Sequence, residues 1–429
     1  MWRATFRLFR FLGTIQFWTE RTFTRAGLVV LGLVILTAVF GVDTSVTVSY
    51  RLFALLATFL ALAFVASWFL RTPVTVSARL PKLLTAGEAF RLRFEVANPT
   101  PSAIGGLTLR IEPADPRPTF EEFRRLKVPT YRGWARLLYS NRVAVLEEAR
   151  IPEVPAQGKS EVMVEGRALR RGRLSIARVA MAHSDPLGLV RRLQDSPRAG
   201  GDICVLPKRY ILPPLTLPGA RRYQPGGLPQ GTSVGDSEEF LGLRDYRPGD
   251  ALQRIHWRSF ARAGKPVVRE YQDEFVARYA LVLDTFATDG GEEAFEEAVA
   301  VAASFAWTLD TQECLLDLLF IGEELHSYTA GPGYLQPQRL LEVLAGVRAG
   351  PQTGFAMLGD TVISRRSQLS ACIFVLSAWN EERRETLERI TKSGILVLPL
   401  LVAGERPAGA GPGLRLLVPG RIQEGLAGL

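Results

Sequence analysis

The densest chemistry in the chain lies in residues 235–275, GDSEEFLGLRDYRPGDALQRIHWRSFARAGKPVVREYQDEF. Glu238, Glu239, Arg244, Asp245, Arg247, Asp250, Arg254, His256, Arg258 and Arg262 are set there among Phe240, Leu243, Tyr246, Ile255 and Trp257. Guanidinium forks take carboxylates bidentately, so this mixture suits an interlocked charge cluster. Asp250, His256 and Ser259 are also the residue types of a hydrolase triad. Their order and spacing match no hydrolase signature, and Gly-x-Ser-x-Gly is absent. A single His beside Trp257 in a charge cluster reads as structural. Tyr246-Arg247-Pro248-Gly249-Asp250 is turn chemistry, because Pro presets its φ and Gly accepts a positive one.

Other chemistries find little support. There is no Gly-x-x-x-x-Gly-Lys-Ser/Thr phosphate loop. His183, His256 and His326 are far apart, and no Cys/His zinc pattern occurs. Cys204, Cys314 and Cys372 sit in apolar stretches and read as buried thiols of a reducing compartment. Glu292, Glu293, Glu296 and Glu297 open a helical pattern, where acids favour the helix dipole and need no catalytic role.

Two kinds of element position these residues. From residue 279 apolar strands alternate with amphipathic helices: strands at 279–284, 315–321, 371–376 and 395–402, helices at 292–309, 335–347 and 381–391. That alternation predicts a largely parallel sheet covered on both faces, with ligands at the carboxyl ends of its strands. Residues 73–206 show period-two alternation instead, at Phe90, Leu92, Phe94 and Val96 and again in 107–111, 160–164 and 173–181. Short strands broken by Pro and Gly predict a β-sandwich. The basic, aromatic stretch 120–145 reads as a loop near lipid headgroups or as a packed hairpin. Residues 207–235 are rich in Pro and Gly and mark a boundary.

Residues 1–70 differ from the rest. The stretches 26–42 and 52–70 are uncharged and apolar, each of a length suited to a membrane helix, which predicts a two-span transmembrane hairpin. Arg3, Arg7, Arg10, Arg21 and Arg25 precede it and Arg71, Arg79 and Lys82 follow, so both ends are expected in the cytoplasm. Residues 1–25 mix those arginines with aromatics, as an amphipathic segment on the inner leaflet would. The formal net charge of +9 is then partly a membrane-surface feature. No nucleic-acid module supports the other reading of basic charge.

Gly235, Glu239, Phe240, Arg244, Tyr246, Gly249, Asp250, Arg254, Ile255, Trp257, Ala261 and Arg262 together resemble the core pattern of the bacterial domain of unknown function 58 family. His183-Ser184-Asp185-Pro186-Leu187-Gly188-Leu189 is similar to that family's Ser-Asp-Pro-Phe-Gly step. The resemblance implies two N-terminal spans, an immunoglobulin-like sandwich, the core motif and an α/β von Willebrand factor A-like domain. It also implies a membrane-anchored accessory protein that partners a MoxR-type AAA+ ATPase. A-type domains hold Mg²⁺ at an Asp-x-Ser-x-Ser loop after the first strand. Here Asp284 and Thr288 fit that loop, but Phe286 replaces the first serine and Ser377-Ala378-Trp379 stands where a later Asp would. The alternative is that Asp284 caps its loop or pairs with an arginine.

The expected organisation is a basic amphipathic segment (1–25), a hairpin (26–70), a sandwich (73–206), a link with the core motif (207–275), an A-like domain (276–403) and a tail (404–429). The expected function is protein binding at the inner membrane, with the bulk of the chain cytoplasmic and no complete catalytic set. Glu239, Arg244, Asp245, Tyr246, Gly249, Asp250, Arg254, His256, Trp257 and Arg262 are the candidate binding residues. Metal-dependent adhesion through Asp284 and Thr288, or hydrolysis through Asp250 and His256, are the competing readings.

Overall fold

The computed structural model describes residues 2–40, 47–69, 73–126, 128–196, 200–213, 238–250, 252–273, 277–286, 291–310, 314–322, 324–331, 334–350 and 354–429. The chain forms two compact units, Met1–Lys208 with Glu342–Gly346 and Arg209–Leu341 with Val347–Leu429.

The first unit opens with three helices, α1 (Trp2–Thr22), α2 (Arg25–Phe40) and α3 (Thr47–Phe69). Among the described residues one stretch, Val48–Phe69 of α3, is long and apolar enough to cross a membrane. The predicted first span, 26–42, is described only as far as Phe40. At about 1.5 Å per residue, the 16 residues of α2 reach roughly 24 Å, below a hydrocarbon core of about 30 Å. Most of the predicted link between the runs, residues 41–46, lies outside the described residues.

Ten strands follow: β1 (Thr75–Arg79), β2 (Leu83–Thr85), β3 (Ala89–Ala97), β4 (Leu107–Pro113), β5 (Ala144–Leu146), β6 (Ala149–Arg150), β7 (Lys159–Ala168), β8 (Gly172–Ser184), β9 (Arg191–Asp195) and β10 (Gly201–Leu206). One sheet has the order β1-β3-β7-β5; the other runs β2-β10-β8-β4-β6, with β9 paired to β8. The period-two reading explains both. Leu92, Phe94 and Val96 of β3 are fully buried, while Arg91 and Arg93 face out and pair across the strand with Glu165 and Glu161 of β7. One hydrophobic cluster draws on both sheets, including Phe94 and Val164 from the first and Leu109 and Ile176 from the second.

Residues 120–145, read above as a loop or hairpin, instead hold two short helices, α4 (Phe120–Arg124) and α5 (Tyr131–Ser140). Thr119 and Glu122 form a reciprocal capping box that starts α4, and Thr130 caps α5. Their apolar faces meet through Phe123 and Trp134, both buried.

The second unit begins with a two-stranded ribbon, β11 (Glu238–Asp245) and β12 (Val267–Asp273), enclosing a 3₁₀ turn (Leu252–Arg254) and α6 (Trp257–Ala263). Its main sheet comprises β13 (Arg278–Leu283), β14 (Leu315–Ile321), β15 (Leu325–Ala330), β16 (Ala371–Leu376), β17 (Leu396–Val402) and β18 (Arg415–Leu417), in the order β15-β14-β13-β16-β17-β18. All neighbours are parallel except β15, which runs antiparallel at the edge.

The connecting helices are α7 (Gly291–Asp310), α8 (Pro337–Gly346), α9 (Phe355–Ser364), α10 (Glu381–Lys392) and α11 (Ile422–Ala427). Ala280, Val282, Cys372 and Phe374 pack with Leu358 and Val362 of α9 and Leu387 and Ile390 of α10. The alternate strand residues Leu281, Leu283, Ile373 and Val375 are fully buried too, as a sheet covered on both faces requires. Residues 404–429, read above as a tail, instead add β18 to the sheet and α11 with buried Ile422 and Leu426.

Candidate functional site

The sheet order places a switch point between β13 and β16, where one crossover leads left to β14 and the other right. Crevices at such points, outside the carboxyl ends of the strands, are where open α/β sheets bind ligands. Asp284 follows β13 and Ser377 follows β16, so the two sit together there. Both are buried.

The Asp284 carboxylate there is satisfied by the protein itself. Arg383, in the first turn of α10, donates from Nε to Asp284 Oδ2 at 2.8 Å and from Nη2 to Oδ1 at 3.0 Å. The backbone N–H of Phe286 donates to Oδ1 at 3.1 Å, and the N–H and hydroxyl of Ser377 donate to Oδ2 at 3.2 and 3.3 Å. Asn380 caps α10 by accepting from the N–H of Arg383, which fixes where that side chain starts. The guanidinium also lies 5.1 Å from the Phe355 ring centroid. Both partners are nearly inaccessible, at 5% and 0% side-chain exposure.

Asp284 therefore caps its loop and pairs with an arginine. Among the described residues the donor set does not fit Mg²⁺. Both carboxylate oxygens already accept from a guanidinium that supplies the balancing charge, and Phe286 has no oxygen to offer. Thr288 lies outside the described residues. Among the described residues no group of three or more His, Cys, Asp or Glu side chains assembles. Cys372, near the other end of β16, is buried, and burial pushes its thiol well above the usual range.

Asp317 of β14 is treated alike. Arg278 grips it at 2.9 and 3.1 Å, and Thr329 donates at 2.7 Å.

The motif ribbon is arranged differently. Its small interior is Ile255, Val267 and Val268, all buried, tied by an Ile255–Val268 bridge and by the His256 N–H donating to Val267 O at 2.8 Å. Arg244 clamps the turn, donating to both oxygens of Asp250 at 2.8 and 2.7 Å. The Arg247 N–H adds a bond to Asp250 at 2.8 Å, and Gly249 takes φ of +107° to close the loop. The Arg244 guanidinium, then the Arg247 N–H, hold the Asp250 carboxyl at about 2, against an ordinary 3.8. Asp245 pairs with Lys265 at 2.7 Å on the surface, and Tyr246 donates its backbone N–H to Pro266 O at 3.0 Å.

His256 Nδ1 and Ser259 Oγ are 2.7 Å apart. Asp250, however, spends its oxygens on Arg244 and Arg247, so the three are not aligned as nucleophile, base and orienting acid. The side chains of Glu239 and Arg254 lie outside the described set.

Apolar surface remains on the outside of this ribbon. Trp257 is 64% exposed and touches Phe260 edge-on at 6.0 Å, while Leu252 and Leu243 are 67% and 45% exposed. Arg247, Arg258 and Arg262 of the same motif are exposed as well. The residues thus divide into a turn brace, Arg244, Gly249 and Asp250, and exposed side chains that include Trp257, Leu252 and Leu243. Sequence reasoning placed both in one cluster and missed Leu243 and Leu252 as exposed apolar groups. It also missed Arg383, whose only signal was the general expectation of an arginine partner for Asp284.

Residues 242–408 match the family described as "Protein of unknown function DUF58", a span that takes in most of the ribbon and most of the α/β sheet. A Bacillus subtilis (strain 168) protein named "Uncharacterized protein YeaD" is 28% identical over 103 residues, 24% of this chain and 25% of that one. The matched region is thus about a quarter of that relative's length. Both findings support the DUF58 resemblance. Among solved structures, Salmonella alpha-2-macroglobulin reacted with methylamine is similar at TM-score 0.20 and 18% identity, over 32% of this chain and 7% of that chain. Pseudomonas fluorescens alkylpurine DNA glycosylase AlkC, bound to DNA containing an abasic site analog, reaches 0.20 at 9% identity over 36% and 38%. Likeness at that level carries no argument about fold or function.

Proposed function

We propose that this chain, similar to the DUF58 family over residues 242–408, is a membrane-anchored protein that docks another protein through its β11–α6–β12 ribbon. The observation that carries the reading is the exposure of Trp257, Leu252 and Leu243 on an element whose turn is braced internally by Arg244 and Asp250. Trp and Arg dominate the energetics of protein interfaces, and a pre-braced turn reduces the ordering cost of binding. The partner implied by the resemblance is a MoxR-type AAA+ ATPase or its client.

Several finer readings belong to the same proposal. The two-span hairpin is part of it, carried by the two uncharged apolar runs 26–42 and 52–70. With arginines before the first run and basic residues after the second, the bulk then lies in the cytoplasm of the inner membrane. The two-sheet layer of the first unit supports an immunoglobulin-like sandwich. The parallel sheet of the second unit, with its switch at β13 and β16, supports an A-type domain.

The test is capture from native membranes by the tagged full chain. Trp257→Ala should abolish recovery of the ATPase while leaving the melting temperature unchanged. Undiminished recovery would remove the ribbon from the account.

A further inference from the structure

The sequence reads the segment 1–25 as a basic, aromatic amphipathic segment without saying which aromatics face which way, and the structure divides them between two faces. Trp2, Phe6 and Phe9 turn toward α4 and α5, where Phe6 is buried at 5.7 Å from both Phe123 and Trp134. At about 100° per residue, Leu8, Phe11, Leu12, Ile15 and Trp18 fall on the opposite side of α1. All five are exposed.

Both ends of α1 are held, so the helix cannot roll to hide that stripe. At its start is the aromatic cluster. At its end is a socket built by the β8–β9 loop. The buried Asp185 carboxylate accepts from the N–H groups of Leu187, Leu189 and Val190 at 2.8, 2.8 and 2.6 Å. That folds the loop so that its carbonyls receive Thr24, whose hydroxyl donates to Gly188 O at 2.6 Å and whose N–H donates to Leu189 O at 3.0 Å. Phe23 bridges to Val190, and α2 passes so close that a Cβ on Gly27 would lie 1.9 Å from Leu189 O. Arg21 pairs with Asp195 at 2.9 Å, and Arg110 and Arg191 both donate to the Glu20 carbonyl. Arg192 binds the Trp68 carbonyl and lies over its ring, which ties the end of α3 to the same strand.

The location of this helix identifies what covers the stripe. Only Phe23 and Thr24 separate α1 from α2, which packs against the apolar α3. If α3 crosses a bilayer, α1 lies at its headgroup layer. The segment 1–25 carries five arginines and one acid, Glu20, a charge complementary to anionic lipid. We propose that α1 is a fixed membrane float: its outer stripe, Leu8, Phe11, Leu12, Ile15 and Trp18, enters the headgroup–acyl boundary of an anionic leaflet. Its inner face meanwhile carries the sandwich. This rests on the membrane-anchored reading above.

Spin labels test it on the full chain in a Cys204→Ser background, the other two cysteines being buried. Nitroxides at Phe11→Cys, Ile15→Cys, Arg10→Cys and, inside α3, Leu55→Cys are read by power saturation with oxygen and a nickel chelate. The vesicles are phosphatidylcholine with and without phosphatidylglycerol. The proposal expects oxygen to dominate at 11, 15 and 55 and the chelate at 10, with the contrast at 11 and 15 deepening when phosphatidylglycerol is present. Chelate access at 11 and 15 with 55 still shielded would overturn the float and leave the anchor standing. Chelate access at 55 would overturn the anchor and the float together. Dipolar broadening between labels at 11 would show a second copy covering the stripe and would also overturn it.

Discussion

The strand-end crevice of the α/β sheet and the β11–α6–β12 ribbon carry similar residues and use them in opposite ways. In the crevice the acid and the arginine are both buried and bind each other, so the place where such sheets hold ligands is filled from within. In the ribbon the Arg244–Asp250 pair is partly exposed and shapes a turn, and Trp257, Leu252 and Leu243 are exposed among arginines. The same acid–arginine pairing therefore fills a buried crevice in one place and braces a surface turn in the other. Burial decides which, because a buried pair has no valence left for a partner.

The largest effect that would break this comparison is at Arg383. Arg383→Met leaves the Asp284 carboxylate buried without its partner and should destabilise the second unit by about 3–5 kcal/mol. Chemical denaturation of the full chain measures this. Asp284→Leu with Arg383→Met together should recover most of that loss, because replacing both members of a buried pair is often near neutral. A double variant as unstable as the single one would mean that the pair does not act as a unit.

In the ribbon, Arg244→Ala should loosen the 246–250 turn and weaken partner capture without unfolding the sheet. Amide exchange across residues 246–256 reads the first effect and pull-down the second. Trp257→Ala should change stability by no more than about 0.5 kcal/mol and still lose the partner. The smallest effect is in pH. The Asp250 carboxyl is lowered in the folded state, so its contribution is complete above its ordinary 3.8 and is lost as pH falls through about 2. Tryptophan fluorescence should report a transition in that window, and Asp250→Asn should flatten it.

Four of the six strands, β13, β14, β16 and β17, were legible as largely apolar runs, whereas the mixed β15 and the three-residue β18 were not. Leu315–Ile321 and Ala371–Leu376 coincide with the runs read from sequence, and α7 follows from Phe295, Val299, Ala302 and Phe305. Helices α4 and α5 were not read, although Thr119-x-x-Glu122 is a capping-box pattern. Five and ten residues are too few for periodicity to speak. The Asp284–Arg383 pair joins residues 99 apart in sequence, and no local pattern encodes it. The two-sided character of α1 was hidden for a related reason: composition shows that a helix is aromatic and basic, but not which aromatics a neighbouring element will claim.

The central claim is that the ribbon, not the crevice, meets the partner. A photo-crosslinking residue placed at 257, and separately at 379 beside the crevice, tests it in native membranes. The account predicts a discrete adduct containing an AAA+ ATPase from position 257 and none from 379. An adduct from 379 with none from 257 would contradict it.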